Sequence, residues 1–327
     1  MPVLDTLHIP DDVRLDLHTL TPLYTGGVGQ HGDQIHPSGL LGGIRRFSCL
    51  LAAAMGDPEF ECAVWGTTTG ADDHYAKRVG LRVDARDLNK ITLPRQIHWP
   101  RSDGVDRKGW FYNVAHDGTL RLSLTRRGIS DAHWQLLLLA LRIQIRHAAF
   151  GSRDQWGLGV LAIDDLPTVE PLTAPMGNVN PLPDRPGLHH AFFVHVTFND
   201  PLPLDWRARL EQGLRWREKL RNSFRPGMHN LRHYLFGELG QYGSAINVSA
   251  LYPHGQGCAL RIWGVIPHTT PPQFDGQRGQ VVQTLRQAMN QGPDEVWPGE
   301  REIVWQDDAE HQADLATWIN QRAGVVI

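Results

Sequence analysis

The sequence predicts an α+β protein made of two ferredoxin-like (RRM-like) domains that pack together. The chain has 327 residues, more than one hydrophobic core usually serves. Six prolines interrupt it between Pro167 and Gly187, where neither a helix nor a central strand can continue. The order strand, helix, strands, helix, strand occurs on both sides of this interruption, as in the ferredoxin-like fold. We therefore predict a first domain at 1–166, an extended linker at 167–187 and a second domain at 188–327.

The first domain contains two amphipathic or buried helices between short strands. Apolar residues alternate from Val13 to Leu17, which predicts a strand. Ser38 and Ser130 precede apolar residues at helical spacing, so each is a predicted N-cap. Asp117 and Gly118 form a turn signal between two strands. The predicted elements are strand 13–24, helix 38–56, strands 80–83, 95–99, 110–114 and 119–124, helix 131–149 and strand 160–163.

The second domain repeats this order after the linker. Its first predicted helix is rich in arginine, and a polar stretch ending at Gly243 and Ser244 follows it. The predicted elements are strand 191–198, helix 205–224, strands 245–252 and 259–266, helix 277–290 and strand 302–305.

Composition argues against several protein classes. The longest apolar run, residues 136–141, is far shorter than the roughly 18 residues of a membrane span, and no basic stretch at the N-terminus leads into an apolar run. Cys49, Cys62 and Cys258 form no Cys-x-x-Cys pair, so neither a disulfide framework nor a cysteine-rich zinc site is predicted. We therefore expect a soluble cytoplasmic protein without a cofactor.

Catalytic and metal-binding motifs are absent or incomplete. Residues 27–32 read Gly-x-Gly-x-x-Gly, but a dinucleotide fingerprint opens directly into a helix, and here a polar loop continues to Pro37. The 17 histidines include no His-Glu-x-x-His pattern and no zinc-finger spacing, so no metal site is predicted. Asp33 either forms a turn or helps to hold a metal ion for phosphodiester cleavage, and the sequence leaves both roles open.

Arginines cluster in two stretches of the chain. The formal net charge of -3 argues against non-specific coating of nucleic acid but allows a local basic track. Six arginines lie from Arg121 to Arg153 and seven from Arg207 to Arg232. Arginine binds phosphate through two parallel hydrogen bonds and stacks on bases, so each half is predicted to carry a positive track. Helix faces held by ion pairs within the chain are the alternative.

The loop from Gly151 to Gly159 adds features that suit RNA. Its glycines let a backbone approach closely, Arg153 can bind phosphate, and Trp156 can stack on an unpaired base. The alternative is a tight turn before a strand, with the Trp156 ring buried.

Three segments resemble the RAMP superfamily of CRISPR proteins, and most closely the first-subunit family of the Cmr (type III-B) complex. Residues 20–27 (Leu-Thr-Pro-Leu-Tyr-Thr-Gly-Gly) resemble the family's opening strand and turn. Residues 38–45 resemble its Ser-x-x-x-Gly-x-x-Arg helix start, and residues 61–66 (Glu-Cys-Ala-Val-Trp-Gly) resemble its Glu-x-x-x-Phe-Gly ending. The order and spacing of the three segments also match.

Two further segments extend the resemblance. Residues 151–159 resemble the superfamily's glycine-rich loop, which lies near RNA in such proteins, and residues 235–237 with 243–245 resemble the corresponding part of the second half. The resemblance implies a non-catalytic subunit of a type III effector complex. Such a subunit contacts the 3′ part of the guide RNA, helps to capture single-stranded target RNA and adjoins other RAMP subunits.

The arginine clusters, the glycine loop and the resemblance together predict a set of RNA contacts. Two other functions stay open: a RAMP endoribonuclease that processes guide RNA or cleaves target RNA, and a scaffold that binds only protein. The mid-chain glycine loop favours the non-cleaving function, because the superfamily's processing enzymes usually carry this loop near the C-terminus. The predicted RNA-binding residues are Arg45, Arg46, Gly151, Arg153, Trp156, Gly157, Gly159, Arg225, His229 and Arg232.

Overall fold

The computed structural model describes most of both halves. Of the residues with a predicted role, Asp33, Arg153 and Arg225 lie outside the described ranges, and for His229 only the backbone is described. The described residues are 9–26, 34–67, 76–94, 98–99, 107–108, 114–152, 156–172, 181–224, 229–237, 244–266, 278–291, 301–304 and 315–325.

The first half forms an antiparallel sheet with helices on one face. Its elements are β1 (Asp12–Thr19), α1 (Pro37–Ala54), a π-helical turn (Glu61–Trp65), β2 (Val79–Asp84), β3 (Leu88–Thr92), a ribbon of β4 (His98–Trp99) and β5 (Arg107–Lys108), β6 (Val114–Arg126), α2 (Asp131–His147) and β7 (Leu161–Ile163). The strand order is β2-β6-β1-β7, and β3 also pairs with β6. The two outer strands thus flank a central antiparallel pair, as in the ferredoxin-like fold.

The second half repeats this arrangement. Its elements are a 3-10 turn (Leu188–His190), β8 (Ala191–Phe198), α3 (Trp206–Asn222), α4 (His229–Phe236), β9 (Ile246–Val248), β10 (Tyr252–His254), β11 (Gly257–Val265), α5 (Arg278–Gln291), β12 (Arg301–Val304) and α6 (Leu315–Ala323). The strand order is β10-β11-β8-β12, and β9 also pairs with β11. The predicted β-α-β-β-α-β order is therefore confirmed twice.

Helix α2 lies between the two halves. Leu137, Leu139 and Leu141 are fully buried in one cluster that includes Leu15 of β1 on one side and Trp263 of β11 on the other. A helix that is apolar all round must be covered all round, which explains the run of leucines. The predicted packing of two α+β domains against each other is confirmed.

The C-terminal helix α6 packs on the first half. The Asn320 side chain accepts a hydrogen bond from the Leu172 N–H at 2.8 Å and donates one to the Leu172 carbonyl at 2.9 Å. Arg142 of α2 donates to the carbonyls of Ala323 at 2.7 Å and Gly324 at 2.8 Å. The chain thus returns to the first half after β12, and there α6 contacts the predicted linker at Leu172. The division at 166 and 188 stays a prediction.

The turn predicted at Asp117 and Gly118 is wrong, because β6 runs through both residues as one strand. Gly118 has a φ of 130°, and a Cβ there would lie 2.5 Å from the carbonyl oxygen of Asp87. Thr19 accepts a hydrogen bond from the Gly118 N–H at 2.8 Å and donates one to Asp117 at 2.6 Å. The glycine therefore bends a strand whose two halves pair with β3 and β2, instead of ending it.

Several predicted boundaries also change. Ser38 is not the N-cap of α1: His36 occupies that position and Pro37 begins the helix, because proline has the backbone angle of a first helical residue and lacks the N–H that would go unpaired. Ser130 does cap α2, accepting from the His133 N–H. Helices α4 and α6 were not predicted.

None of the helices in the described ranges is long and apolar enough to cross a membrane.

Candidate nucleic-acid interface

Three of the segments that resemble the RAMP superfamily meet in the folded chain. The Thr25 hydroxyl accepts a hydrogen bond from the His36 N–H at 2.7 Å, just before α1. A Cβ at Gly39 would lie 2.3 Å from the Thr25 carbonyl oxygen, so this approach requires glycine. On the other side, the Ser152 N–H donates to the Tyr24 carbonyl at 2.9 Å. We call this region the motif junction, comprising residues 20–26, 34–45, 151–152 and 156–159.

The three loop glycines are required by the chain's own backbone. All have positive φ angles, between 83° and 94°. A Cβ would lie 2.3 Å from the Tyr24 carbonyl oxygen at Gly151, 2.7 Å from the Ala250 backbone nitrogen at Gly157, and 1.8 Å from the Phe150 carbonyl oxygen at Gly159. The sequence interpretation gave this space to a phosphate chain, but protein backbone occupies it. RNA contact by these glycines stays a prediction.

Trp156 lies where the glycine loop meets the second half. Its ring is half-buried and packs against an apolar cluster containing Leu158, Leu214 and Ala250. The Gly157 carbonyl accepts a hydrogen bond from the Ala250 N–H at 3.0 Å, and the guanidinium of Arg217 lies 5.2 Å from the centre of the Trp156 ring. The loop is therefore a contact between the halves, and stacking of the ring on RNA stays a prediction.

Part of the second arginine cluster is used inside the protein. Arg217 donates to the Phe236 carbonyl at the end of α4, and burial lowers the pKa of its guanidinium to about 10. Arg209 donates to the Pro203 carbonyl and lies 4.3 Å above the Trp206 ring. Arg217 therefore joins α3 to α4 through a carbonyl 19 residues away, whereas Arg209 binds a carbonyl six residues before it, just ahead of α3.

The first arginine cluster is divided among internal partners and is not a continuous track. Arg121 forms an ion pair with Asp16 across the sheet at 2.7 Å, and Arg126 pairs with Asp11 and Asp131. Arg142 is buried under α6. The predicted track is wrong for these three arginines, because sheet pairing and α6 bring partners to them, of which only Asp131 is close in sequence.

The arginines of α1 face outward near a carboxylate. Glu61 forms ion pairs with Arg45 at 2.7 Å and with Arg185 at 3.3 Å. Arg46 is exposed, and within the described part of the chain no ion pair engages it. Arg185 was not predicted to be part of a site, since it stands alone between Asp184 and Pro186. The structure thus places Arg185, which the sequence analysis did not single out, beside two residues that are predicted to contact RNA.

Arg232 is the one predicted contact of the second half whose side chain is described. It lies half-buried on α4, next to His233, with the Arg232 Nη2 and His233 Nε2 atoms 3.5 Å apart. Helix α4 was not predicted, because eight residues of mixed polarity give little periodic signal.

Neither sheet face is a platform of stacked aromatic side chains. The open face of the first sheet carries Arg14, Asp16, Arg82, Asp84 and Arg121, and no Phe, Tyr or Trp among its described residues. The central strands β8 and β11 of the second sheet are covered on both faces, by α3 and α5 on one side and by α2 on the other. Base stacking on a sheet, as RRM domains use it, therefore has no counterpart in the described residues.

The described residues also include no group of three or more His, Cys, Asp or Glu side chains placed to hold a metal ion. Asp33, the residue considered for such a role, lies outside them.

Comparisons with known proteins return similar structures but no sequence relatives. No protein-family model matches the chain, and no curated protein matches it significantly. The crystal structure of apo Cmr1 from Pyrococcus furiosus is similar, with 13% identity and a TM-score of 0.47, covering 90% of this chain and 99% of that chain. A chain of the type III-B Cmr-beta complex bound to cognate target RNA has 11% identity and a TM-score of 0.48, covering 84% and 98%. The ferredoxin-like assignment rests on this chain's own strand order.

Proposed function

We propose that this chain is a cytoplasmic, non-catalytic RNA-binding subunit of a Cmr-type (III-B) CRISPR effector complex and a RAMP protein of the first-subunit family. In this role it contacts the 3′ part of the guide RNA, helps to capture single-stranded target RNA and adjoins other RAMP subunits. The observation that carries the proposal is the motif junction. Segments far apart in sequence that resemble one family are in direct contact there.

The surroundings of the motif junction support RNA as the ligand. Arg45 and Arg46 project from the exposed side of α1, about two turns after the helix begins at Pro37. Arginine offers several donors in a fixed plane, which suits the phosphates of a flexible single strand. Arg46 has no carboxylate partner among the described residues, so its charge is available to a ligand.

An RNA retention experiment tests this function and separates it from the two alternatives. The full chain, alone and with its partner subunits, is incubated with labelled single-stranded RNA at low salt, with and without Mg²⁺. Wild type is compared with Arg153→Ala/Trp156→Ala, Asp33→Ala and the control Arg14→Ala, which removes an exposed arginine from the open sheet face. We expect retention without cleavage, weakened about tenfold or more in the loop double variant and unchanged in the control.

Three results would contradict parts of the proposal. Cleavage that Asp33→Ala abolishes would show a ribonuclease. A lack of RNA retention, both alone and with partners, would show a scaffold. Equal retention by wild type and the loop double variant would remove the glycine loop from the RNA site.

A further inference from the structure

A cleft of about 400 Å³ lies between the two halves, next to the exposed arginines of α1. Helix α1 forms its floor, the linker before β8 forms one wall, and the second half forms the other wall through α4 and the ends of β9 and β11. The volume falls within the range of small-ligand sites, about 300 to 1,000 Å³. The residues used below are Arg46, Leu50, Arg185, Pro186, Tyr234 and Val265.

The interior of this interdomain cleft is apolar. Leu50 from α1, Pro186 from the linker and Val265 from β11 present carbon surface from three sides. The phenol of Tyr234 is half-buried, and burial raises its pKa. The volume of about 400 Å³ is enough for one nucleobase in contact with these side chains.

The rim of the cleft is positively charged. Arg46 comes from α1 and Arg185 from the linker, and Glu61 is the one acidic residue in the described lining. Glu61 forms ion pairs with both Arg45 and Arg185. Its single negative charge is smaller than the three positive charges of Arg45, Arg46 and Arg185, so the rim keeps a net positive charge. Burial and the Glu61 carboxylate raise the pKa of the Cys49 thiol to about 12, so the thiol stays protonated and adds no negative charge. The lining therefore suits a ligand with an apolar part inside the cleft and an anionic part at its rim.

The cleft also provides a place for a base that the two sheets do not provide. The open face of the first sheet has no aromatic side chain among its described residues, and the central strands of the second sheet are covered on both faces. Unpaired bases in single-stranded RNA need an apolar surface near a cationic one. The described lining of the interdomain cleft includes both.

We propose that the interdomain cleft holds one unstacked nucleotide of single-stranded RNA, with the base between Leu50, Pro186 and Val265 and the phosphate on Arg46 and Arg185. This inference rests on the proposed RNA-binding function and adds a specific subsite to it. It assigns a ligand role to Arg185 and makes the linker part of the binding surface.

Two cleft variants and one matched control test the subsite in the full chain. Arg46→Ala removes a rim charge at an exposed position, and Ala245→Phe places a ring in the cleft from its wall. Arg82→Ala removes an exposed arginine from the open sheet face. Affinity for labelled single-stranded RNA is measured by fluorescence anisotropy at fixed low salt. We expect about a tenfold or larger loss for each cleft variant and little change for the control.

A crosslinking experiment gives an independent reading. RNA carrying 4-thiouridine is bound to wild type and irradiated, and the crosslinked peptides are mapped. We expect crosslinks on the peptide containing Tyr234, and we expect Ala245→Phe to reduce them while its thermal unfolding stays cooperative. If Ala245→Phe does not fold, the Arg46→Ala result alone decides.

The outcomes distinguish the subsite from the function. If wild type binds RNA and both cleft variants match Arg82→Ala, the subsite is wrong and RNA binding stands. If wild type binds no RNA alone or in its complex, both proposals fail. If adenosine monophosphate occupies the cleft and excess single-stranded RNA does not displace it, the site serves a free nucleotide and the RNA assignment is overturned.

Discussion

At the scale of single residues, glycines of the first half differ in what a side chain would meet. Gly159 has a positive φ, and a Cβ there would also lie 1.8 Å from the Phe150 carbonyl oxygen. At Gly128 the φ is 67° but the space is open, and at Gly42, inside α1, the space is open and no positive φ occurs. The three sites therefore separate steric contact from backbone strain.

We predict a graded series for substitution of these glycines by alanine. Gly42→Ala should raise the free energy of unfolding by up to about 1 kcal/mol, since alanine favours helix. Gly128→Ala should lower it by roughly 1–2 kcal/mol through backbone strain, and Gly159→Ala should lower it by more than either. Urea unfolding measures all three. A Gly159→Ala protein as stable as wild type would contradict the internal role of this glycine.

Two histidines, buried His147 and half-buried His195, lie where α2 meets the second sheet. Burial first, and then the charge of Arg261, lower the pKa of His195 to about 4. Burial also holds the pKa of His147 well below its ordinary value, and the two rings lie 5.8 Å apart. Both side chains are therefore neutral in the folded protein at neutral pH.

The protein should lose stability in mild acid because of these histidines. The unfolded chain takes up protons near pH 6.5, before the folded chain does, so the free energy of unfolding is full above that pH and falls between pH 6.5 and 4. For His195 the loss reaches about 3 kcal/mol at pH 4. Urea unfolding at a series of pH values from neutral down to about 4 measures this loss.

His195→Leu should flatten this pH dependence, and the control His18→Gln, at a half-buried position on β1, should retain it. An equal decline in both variants would assign the acid sensitivity to other groups.

At the scale of elements, the buried guanidinium of Arg142 joins α2 to α6 and the linker. It donates to the carbonyls of Ala323, Gly324 and Pro167, at 2.6 to 2.8 Å. Removing it leaves three carbonyls without their charged donor, two of them at the C-terminal end of α6. Such groups are costly when buried.

Arg142→Met should therefore lower the free energy of unfolding by about 3 kcal/mol or more. Arg14→Ala, an exposed arginine on β1, should change it little. Proteolysis under native conditions should also cleave the region of α6 sooner in Arg142→Met. Unchanged protection of that region would show that apolar packing alone holds the helix.

At the scale of the whole molecule, the two halves share a buried interface. Arg261 of β11 donates to the carbonyls of Ile145 at 2.8 Å and Ala148 at 3.0 Å, where α2 ends. Its Nε also lies 3.3 Å from the Tyr252 hydroxyl. Polar groups buried at a junction must be paired, so this arginine fixes how the second sheet sits on α2.

We predict one cooperative unfolding transition for the wild type, with tryptophan fluorescence and circular dichroism giving the same midpoint. Arg261→Met should lower that midpoint and separate the two signals, because the docking of the halves weakens first. The exposed-site control Arg82→Ala should keep them together. Two resolved transitions in the wild type would show that the halves fold independently.

The sequence alone determined the features that depend on neighbouring residues. Strand 191–198 and the start of α2 at Asp131, capped by Ser130, were predicted to the residue, because alternation and capping are local signals. The repeated element order also predicted the fold of each half, and the family resemblance identified the segments that form the motif junction.

Only the tertiary structure decided which of those residues are free to bind. Arg142 finds a carbonyl 181 positions away, Arg217 and Arg261 are likewise used internally, and Gly118 bends a strand instead of ending it. Arg185 enters the candidate site although its sequence surroundings are unremarkable. Hydrogen-bond acceptors and close backbone contacts come from segments that only folding brings together, so residue type and spacing cannot separate an arginine that holds the protein together from one that faces RNA.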